Sequence, residues 1–255
     1  SVTDRCNLRC TYCMPETGIS LLPRQDILSF EEILAIARAA VDLGITKVRL
    51  TGGEPLARAE LTKLVQMLAD LKGIDDLSLT TNGVLLKRYA VELKKAGLDR
   101  VNISLDSLRP DRFRQITRIG NLNDVLEGIE AAGAADLNPV KINTVVMRGI
   151  NDDEIIDFAR KTLEQDWNVR FIELMPFGQE QAGAERFVPV SEMRQRLRDL
   201  GELEPCHAGT GNGPARYFRL PGARGTLGFI SPVSEHFCIR CNRLRLTADG
   251  KLRPC

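Results

Sequence analysis

The chain has 255 residues, which is enough for one large domain with a smaller one beside it. Hydrophobic residues make up 43% and charged residues 27%, and no apolar run approaches the roughly 20 residues of a membrane-spanning helix. The net charge of +1 excludes general attraction to nucleic acid, so an anionic ligand would need a local cluster of Lys and Arg. We therefore expect neither a nucleic acid nor a membrane as a partner.

Short β-rich runs alternate with segments of helical periodicity over the first two thirds of the chain. The predicted strands are a segment ending near Thr3, followed by 47–51, 77–82, 101–106, 140–147 and 169–175. The predicted helices are 30–43, 59–71, 85–95, 122–132 and 152–165, with one more at about 190–200 in the C-terminal region. The first helix opens on Ser29 and Glu32 in a capping-box pattern, which supports its predicted start.

Repeated strand–helix units predict parallel strands joined by helical crossovers. About six units are too few for a closed eight-stranded barrel, so we expect a partial barrel or a doubly wound sheet. The prediction is an α/β fold, a partial (β/α)6 TIM-like barrel with a smaller C-terminal α+β region. We place the barrel at 1–180 and the C-terminal region at 181–255, and we expect both ends to be trimmed. Loops at the carboxyl ends of the strands build the site in either fold.

The cysteines are clustered, and only two histidines are present for acid–base chemistry. Six of the seven cysteines form two groups, Cys6, Cys10 and Cys13, and Cys238, Cys241 and Cys255. An odd count without a secretion signal argues against a disulfide framework and favours metal or cluster ligands. Such thiols suit a reducing compartment, so we expect the cytoplasm, or the mitochondrial matrix in a eukaryote. We interpret Cys206 and His207 as core or surface residues, with ligands as the alternative.

The first group follows the first predicted strand in a C-x3-C-x2-C pattern. Three thiolates within eight residues can hold three irons of a [4Fe–4S] cube and leave the fourth iron open to a ligand. A structural zinc site is the alternative, although zinc usually takes four ligands in two separated pairs. The motif, with Tyr12 before its last cysteine, resembles the radical SAM superfamily signature. That resemblance implies that S-adenosylmethionine (SAM) binds the open iron and is cleaved to a 5′-deoxyadenosyl radical.

Polar motifs follow or lie within the next strands. They are 51–55 (TGGEP), 80–83 (TTNG), 102–106 (NISLD) and the pair Lys141 and Asn143. Glycines let backbone approach a ligand, and Lys141 and Asn143 would point to one face of their strand. The alternatives are turn capping by Asn82 and Asp106, or a solvated strand face.

The second group is a C-x2-C pair followed by Cys255 thirteen residues after Cys241. His236 is adjacent, so zinc is a serious alternative to a second iron–sulfur cluster here. Arg243 and Arg245 lie in the same loop, and guanidinium forks suit phosphate oxygens. The loop therefore favours an open cluster beside an anionic substrate.

Together, the motifs at 49–55, 79–83, 102–106, 149–153, 170–175 and 237–245 resemble one family across the whole chain, the GTP 3′,8-cyclases. The resemblance implies that Cys6, Cys10 and Cys13 hold the first [4Fe–4S] cluster, with SAM contacts from Tyr12, Gly53, Ser104 and Met175. It implies that Cys238, Cys241 and Cys255 hold a second [4Fe–4S] cluster. It places Arg49, Thr80, Lys141, Arg243, Leu244 and Arg245 around GTP, with Arg243 and Arg245 as catalytic residues.

The family resemblance also implies the chemistry. The adenosyl radical removes a hydrogen from ribose C3′ of GTP, and the ribose radical then attacks guanine C8. The product, 3′,8-cyclo-7,8-dihydro-GTP, begins molybdopterin synthesis. The expected partners are GTP, a low-potential electron donor, the cyclic pyranopterin monophosphate synthase that acts downstream, and a second copy in a homodimer. The family's substrate-contacting arginine before Ser1 and its Gly-Gly tail lie outside these 255 residues.

Two other functions are alternatives. A different radical SAM enzyme with an auxiliary cluster, such as a peptide modifier, would usually carry more cysteines in its auxiliary region. A non-enzymatic zinc module would contain zinc and no iron. Retention of GTP distinguishes the first alternative, and iron content distinguishes the second.

Overall fold

The computed structural model describes residues 1–175, 185–207, 210, 213–237 and 241–253. The strands are β1 Lys47–Leu50, β2 Asp76–Thr81, β3 Arg100–Ser104, β4 Lys141–Val146, β5 Asn168–Glu173, β6 Glu204–Cys206, β7 Arg216–Arg219, β8 Thr226–Ile230, β9 Arg245–Leu246 and β10 Leu252–Arg253. The helices are α1 Phe30–Asp42, α2 Leu61–Ala69, α3 Leu86–Lys95, α4 Pro110–Thr117, α5 Leu122–Ala134, α6 Ile155–Glu164 and α7 Val190–Arg196.

Eight strands form one sheet in the order β1-β2-β3-β4-β5-β8-β7-β6. The pairs from β1 through β5 to β8 are all parallel, which gives six parallel strands. Helices α2, α3, α5 and α6 lie in the crossovers between strands. This arrangement confirms the predicted α/β partial barrel with a small C-terminal sheet region.

The sixth parallel strand differs from the one predicted. The sequence suggested a strand ending near Thr3, but no strand is assigned there. Residues 2–5 instead run beside the end of β1, where Val2 N–H donates to Thr51 O at 2.7 Å and Gly53 N–H donates to Thr3 O at 2.8 Å. The sixth strand is β8, which lies beyond position 180 in the chain. The predicted domains therefore share one sheet, and a boundary at 180 remains a prediction.

The helix ends follow local chemistry. Ser29 Oγ accepts from Glu32 N–H at 3.1 Å, and Glu32 Oε2 accepts from Ser29 N–H at 2.7 Å, so the predicted capping box is confirmed. Helix α4 was not predicted, because it has only eight residues and most of them are polar. Pro110 in its first turn, a position that favours proline, was the one local signal of a helix start. The predicted 190–200 helix ends earlier, and a 3-10 turn follows it at Arg198–Leu200.

The apolar core lies between the sheet and the helices. Phe171 of β5 packs edge-on against Phe158 of α6, with 6.4 Å between ring centroids, and at a tilt against Phe229 of β8, with 5.9 Å between centroids. These contacts fix the C-terminal strand β8 onto the barrel through aromatic burial. Among the described residues, no helix is long and apolar enough to span a bilayer.

Candidate functional site

The face of the sheet opposite the core is polar. Strand register places these side chains on one face: Arg49, Ser78, Thr80, Arg100, Asn102, Lys141, Asn143 and Arg170, with Gly228 at the β8 position. Side chains alternate across a strand, so members two residues apart share this face. The polar interior therefore runs across all six parallel strands.

Four cationic side chains converge in this interior. Arg100 donates to both oxygens of Asp76 at 2.9 and 2.7 Å, and Arg170 Nη2 donates to Asn102 Oδ1 at 2.6 Å. Arg49 Nε contacts Ser78 Oγ at 3.3 Å, and Lys141 Nζ donates to the carbonyl of Thr210 at 2.8 Å. Asp76 alone forms an ion pair with one of the four among the described residues.

The interior has unmet hydrogen-bonding capacity. Arg100 is 3% exposed and Arg170 is 4% exposed, yet Arg100 Nη1 and Arg170 Nε have no partner in the described part of the chain. Asn143 Oδ1 is also buried without a partner there. Buried donors without partners are costly. Their convergence indicates a site prepared for an anionic ligand.

Burial and mutual repulsion lower the pKa values of two of these basic groups. Burial and the charges of Arg100, Arg170 and Arg49 lower the pKa of Lys141 to about 7. Burial lowers the pKa of Arg49 to about 10, and the charges of Arg170 and Arg100 contribute to the same shift. An anion such as a polyphosphate would offset this repulsion.

Residues missed by the sequence analysis complete this interior. Asp76, Arg100 and Arg170 lie on β2, β3 and β5, and Tyr217 of β7 approaches Lys141 with 5.9 Å between Nζ and the ring centroid. A Cβ at Gly228 would lie 2.9 Å from Arg170 Cγ and 3.2 Å from Tyr217 Cε1. The available signal for Arg100 was a charged residue directly before the predicted strand 101–106.

The first cysteine loop lies against the end of α4. Cys13 N–H donates to Cys10 O at 3.0 Å, which closes a tight turn. Thr11 N–H donates to Ile116 O at 2.9 Å, and Arg9 N–H donates to Thr117 O at 3.2 Å. The loop thus uses carbonyls that the helix end leaves free.

The three thiols of this loop share one electrostatic environment. Burial, Asp106, Cys13 and Cys6 raise the pKa of Cys10 to about 12. Burial, Cys6 and Asp106 raise the pKa of Cys13. Thiolates there become favourable when a cationic metal centre binds. No three Cys, His, Asp or Glu side chains of the described residues converge as ligands of a single ion. A cluster fits this spacing, because each thiolate binds a different iron.

Tyr12 connects the loop to the sheet. Its hydroxyl donates to Asp106 Oδ2 at 2.7 Å, and Asp106 Oδ1 accepts from Val145 N–H at 2.8 Å. Burial raises the pKa of Asp106 to about 6. Asn151 Nδ2 donates to the carbonyl of Asp106 at 2.7 Å. Asp106, for which turn capping is the alternative in the sequence, therefore anchors the aromatic residue of the cysteine motif.

The remaining predicted SAM contacts lie at the same edge of the sheet. Gly53 follows β1, Ser104 ends β3 and Met175 lies just beyond β5, so all three are at carboxyl ends of parallel strands. A Cβ at Gly53 would lie 2.3 Å from Arg5 O, so only glycine allows this approach.

Glu54 has a structural role in this turn. It is 1% exposed and accepts from Thr81 Oγ1 at 2.8 Å, Asn82 N–H at 2.7 Å and Leu56 N–H at 3.0 Å. Its oxygens are thus used within the protein, where they join the β1 loop to the end of β2.

We expect Glu54→Ala to lower the free energy of unfolding by about 2–3 kcal/mol, because it leaves buried donors of Thr81 and Asn82 unsatisfied. Urea denaturation followed by circular dichroism measures the change. Glu130→Ala, at an exposed position on α5, serves as the control and should stay within about 0.5 kcal/mol of the parent. Equal stability of the two variants would contradict this role.

The second cysteine group is described only at Cys241, because Cys238 and Cys255 lie outside the described residues. Arg243 Nε contacts Cys241 Sγ at 3.3 Å, and this hydrogen bond lowers the pKa of the thiol. The Arg243 guanidinium is 5.6 Å from the Phe237 ring centroid. Leu244 is 63% exposed, and Arg245 is exposed on β9.

Cys206 and His207 lie apart from both cysteine groups in the chain. They line a cavity of about 460 Å³ together with Tyr217 and Phe218. Burial raises the pKa of the Cys206 thiol. Its interpretation as a core or surface residue stays a prediction.

Two family models match the chain. The Radical SAM superfamily model matches residues 1–162, and the Molybdenum Cofactor Synthesis C model matches residues 167–255. A GTP 3′,8-cyclase of Moorella thermoacetica is 56% identical over 255 residues, covering 100% of this chain and 79% of that protein. One from Heliobacterium modesticaldum is 57% identical over 260 residues, with the same two coverages.

Solved structures agree on the fold. Streptococcus suis SuiB bound to S-adenosylmethionine has a TM-score of 0.66 at 16% identity, covering 99% of this chain and 58% of that one. TYW1 with a lysine-pyruvate adduct has a TM-score of 0.57 at 17% identity, covering 80% of this chain and 73% of that one. At this identity the likeness shows the fold alone.

Proposed function

Since the chain belongs to the GTP 3′,8-cyclase family of radical SAM enzymes, we propose that GTP occupies the cationic barrel interior while SAM and its cluster bind at the carboxyl edge of the sheet. The reaction is GTP cyclisation in molybdenum cofactor biosynthesis. Four converging cationic groups carry this proposal, since they suit a triphosphate, and two of them, Arg100 and Arg170, have buried donors without partners among the described residues.

Cys6, Cys10 and Cys13 hold the first [4Fe–4S] cluster in this proposal. Their shared environment and burial support it, because iron binding offsets the cost of buried thiolates. When bound, this cluster and SAM supply the 5′-deoxyadenosyl radical. The protein's part is to position SAM, with Tyr12 held by Asp106. Gly53, Ser104 and Met175 provide the other SAM contacts.

The interior residues bind and orient GTP. Arg49, Lys141 and Thr80 contact the substrate, and we add Arg100 and Arg170 because their buried nitrogens lack partners in the described residues. These groups hold the triphosphate, which fixes the ribose relative to SAM and excludes water. Cation–phosphate contacts of this kind are short and directional.

The C-terminal region completes the site. We propose that Cys238, Cys241 and Cys255 would hold a second [4Fe–4S] cluster, which would supply a binding point for the guanine of GTP. The Arg243 contact supports a thiolate at Cys241, since it lowers the pKa of that thiol. Arg243 and Arg245 are the proposed catalytic residues, and Leu244 lies beside the base.

The remaining proposals concern partners, cellular location and the domain boundary. A low-potential electron donor reduces the first cluster, and cyclic pyranopterin monophosphate synthase takes the product. A homodimer, a cytoplasmic or mitochondrial-matrix location and a domain boundary near 180 complete the proposal. Clustered thiols support a reducing compartment.

Iron and sulfide content tests the two-cluster arrangement. We expect about eight irons per chain in anaerobically purified full-length protein, and about four in the Cys238→Ala, Cys241→Ala double variant. The parent should form cyclised nucleotide from GTP and SAM, and the double variant should form none. About four irons in both proteins would contradict the second cluster.

A further inference from the structure

Hydrogen bonds join the hairpin formed by β9 and β10 to two residues of the barrel domain, Leu28 and Ser1. The Ser1 amino group donates to Leu246 O at 2.5 Å. Leu28 N–H donates to Ala248 O at 2.9 Å, and a Cβ at Gly250 would lie 3.2 Å from Leu28 Cδ2. Cys241 precedes this hairpin and Cys255 follows β10 by two residues. Leu28 is therefore one of two points, in the described part of the chain, at which this hairpin is hydrogen-bonded to the barrel domain.

Arg58 holds Leu28 and the start of the chain together. Its Nη2 donates to Leu28 O at 2.7 Å, and its Nη1 donates to Val2 O at 2.6 Å. The guanidinium lies 4.4 Å from the Phe30 ring centroid. Arg58 forms no ion pair within the described ranges. Its two terminal nitrogens instead donate to backbone carbonyls of two separate segments.

The segment at Val2 leads directly into the first cysteine motif. Val2 N–H donates to Thr51 O at 2.7 Å, and Glu54 N–H donates to Arg5 O at 2.7 Å, which aligns residues 2–5 beside the end of β1. Cys6 follows immediately. A displacement of Val2 would therefore be transmitted to the first cysteine loop.

We propose that Arg58 is a positioning residue that couples the segment entering the first cysteine motif to the hairpin between the second cysteines. This inference rests on the proposed function in one respect: the two cysteine groups must hold the two clusters. Arg58 then fixes the distance between the SAM end and the guanine end of the site. A planar guanidinium suits this role because it presents two donors in a fixed geometry.

This role has a specific chemical consequence. A radical formed from SAM must meet a ribose held from the other end, and misplacement by about 1 Å can cost about 100-fold in rate. Without Arg58, hydrogen transfer to GTP should fall further than SAM cleavage. General destabilisation would instead reduce SAM cleavage and cyclisation together.

Hydrogen exchange tests the coupling without clusters or substrate. We expect Arg58→Met to raise the exchange rate at Leu28 and across 245–253 by about tenfold or more, because the Leu28–Ala248 contact loses its support. Arg58→Lys keeps the charge and one donor, so its increase should be smaller. Arg88→Met is the matched control, since Arg88 is exposed and also stacks on an aromatic ring, at 5.4 Å from the Tyr89 centroid.

The loaded enzyme provides the second readout, the ratio of 5′-deoxyadenosine to cyclised nucleotide. We expect this ratio to rise about tenfold or more in Arg58→Met, to recover partly in Arg58→Lys and to stay unchanged in Arg88→Met. Parental exchange rates at Leu28 and 245–253 in Arg58→Met would overturn the coupling, whatever the enzyme's activity. If Arg58→Met does not fold, the same two measurements on Arg58→Lys decide. Parental values in both would overturn the proposal.

Discussion

Replacement of Cys10 by alanine is expected to abolish SAM cleavage and to remove about four irons per chain. The thiol is one of three in a shared environment, and two thiolates cannot hold three irons of a cube. The loop itself should persist, because the turn at Cys10 is closed by its carbonyl, which accepts from Cys13 N–H at 3.0 Å and Met14 N–H at 3.1 Å.

Cys206→Ala is the matched control for this experiment. Cys206 is a partly buried free cysteine on β6, outside both cysteine groups. Iron analysis and chromatographic detection of 5′-deoxyadenosine after anaerobic reconstitution give the result. Parental iron content and SAM cleavage in Cys10→Ala would show that the first cluster is held elsewhere. Loss of iron in Cys206→Ala would assign that thiol a ligand role.

Replacement of Lys141 by methionine is expected to weaken GTP binding by about 10–100-fold and to stabilise the free protein by about 0.5–2 kcal/mol. The lysine is buried among Arg100, Arg170 and Arg49, and first its removal from water and then their charges oppose its protonation. Methionine of similar length removes that repulsion, together with one charged contact to the phosphates. Titration calorimetry measures the affinity, and urea unfolding measures the stability.

The stability difference should depend on pH in a defined direction. The pKa of Lys141 is about 7 in the folded protein against 10.5 for an ordinary lysine, so the unfolded chain binds more protons between these values. The contribution of Lys141 to stability therefore rises with pH across that window. Lys141→Met should show its largest gain below about pH 7, and the gain should shrink towards pH 10.5. A gain independent of pH would contradict the electrostatic origin.

GTP binding should take up protons near neutral pH. Phosphate oxygens favour the charged amine, so binding raises the pKa of Lys141 above about 7. Calorimetry at pH 7.5 in buffers of different ionisation enthalpy measures this uptake, which should fall in Lys141→Met. Lys87→Met, at an exposed pair with Glu127, provides the control.

The sequence by itself determined the family of the chain and predicted the residues at the two ends of the site. The spacing of Cys6, Cys10 and Cys13 and the glycines of the TGGEP turn are local patterns, readable because their geometry depends on neighbours in the chain. Strand–helix alternation gave the parallel sheet for the same reason. The capping box at Ser29 and Glu32 was likewise readable from four adjacent residues, and the structure confirms it.

The tertiary structure decided what lies between those ends. Whether Arg100 faces a core or a binding site depends on register with β2 and β4, and only the folded sheet brings it to Asp76 and Arg170. The sixth parallel strand came from beyond position 180, because aromatic packing against Phe171 joins β8 to β5. The roles of Asp106 and Arg58 rest on partners 94 and 56 residues away. Local propensity carries no information about such distant contacts, since only packing of the whole chain creates them.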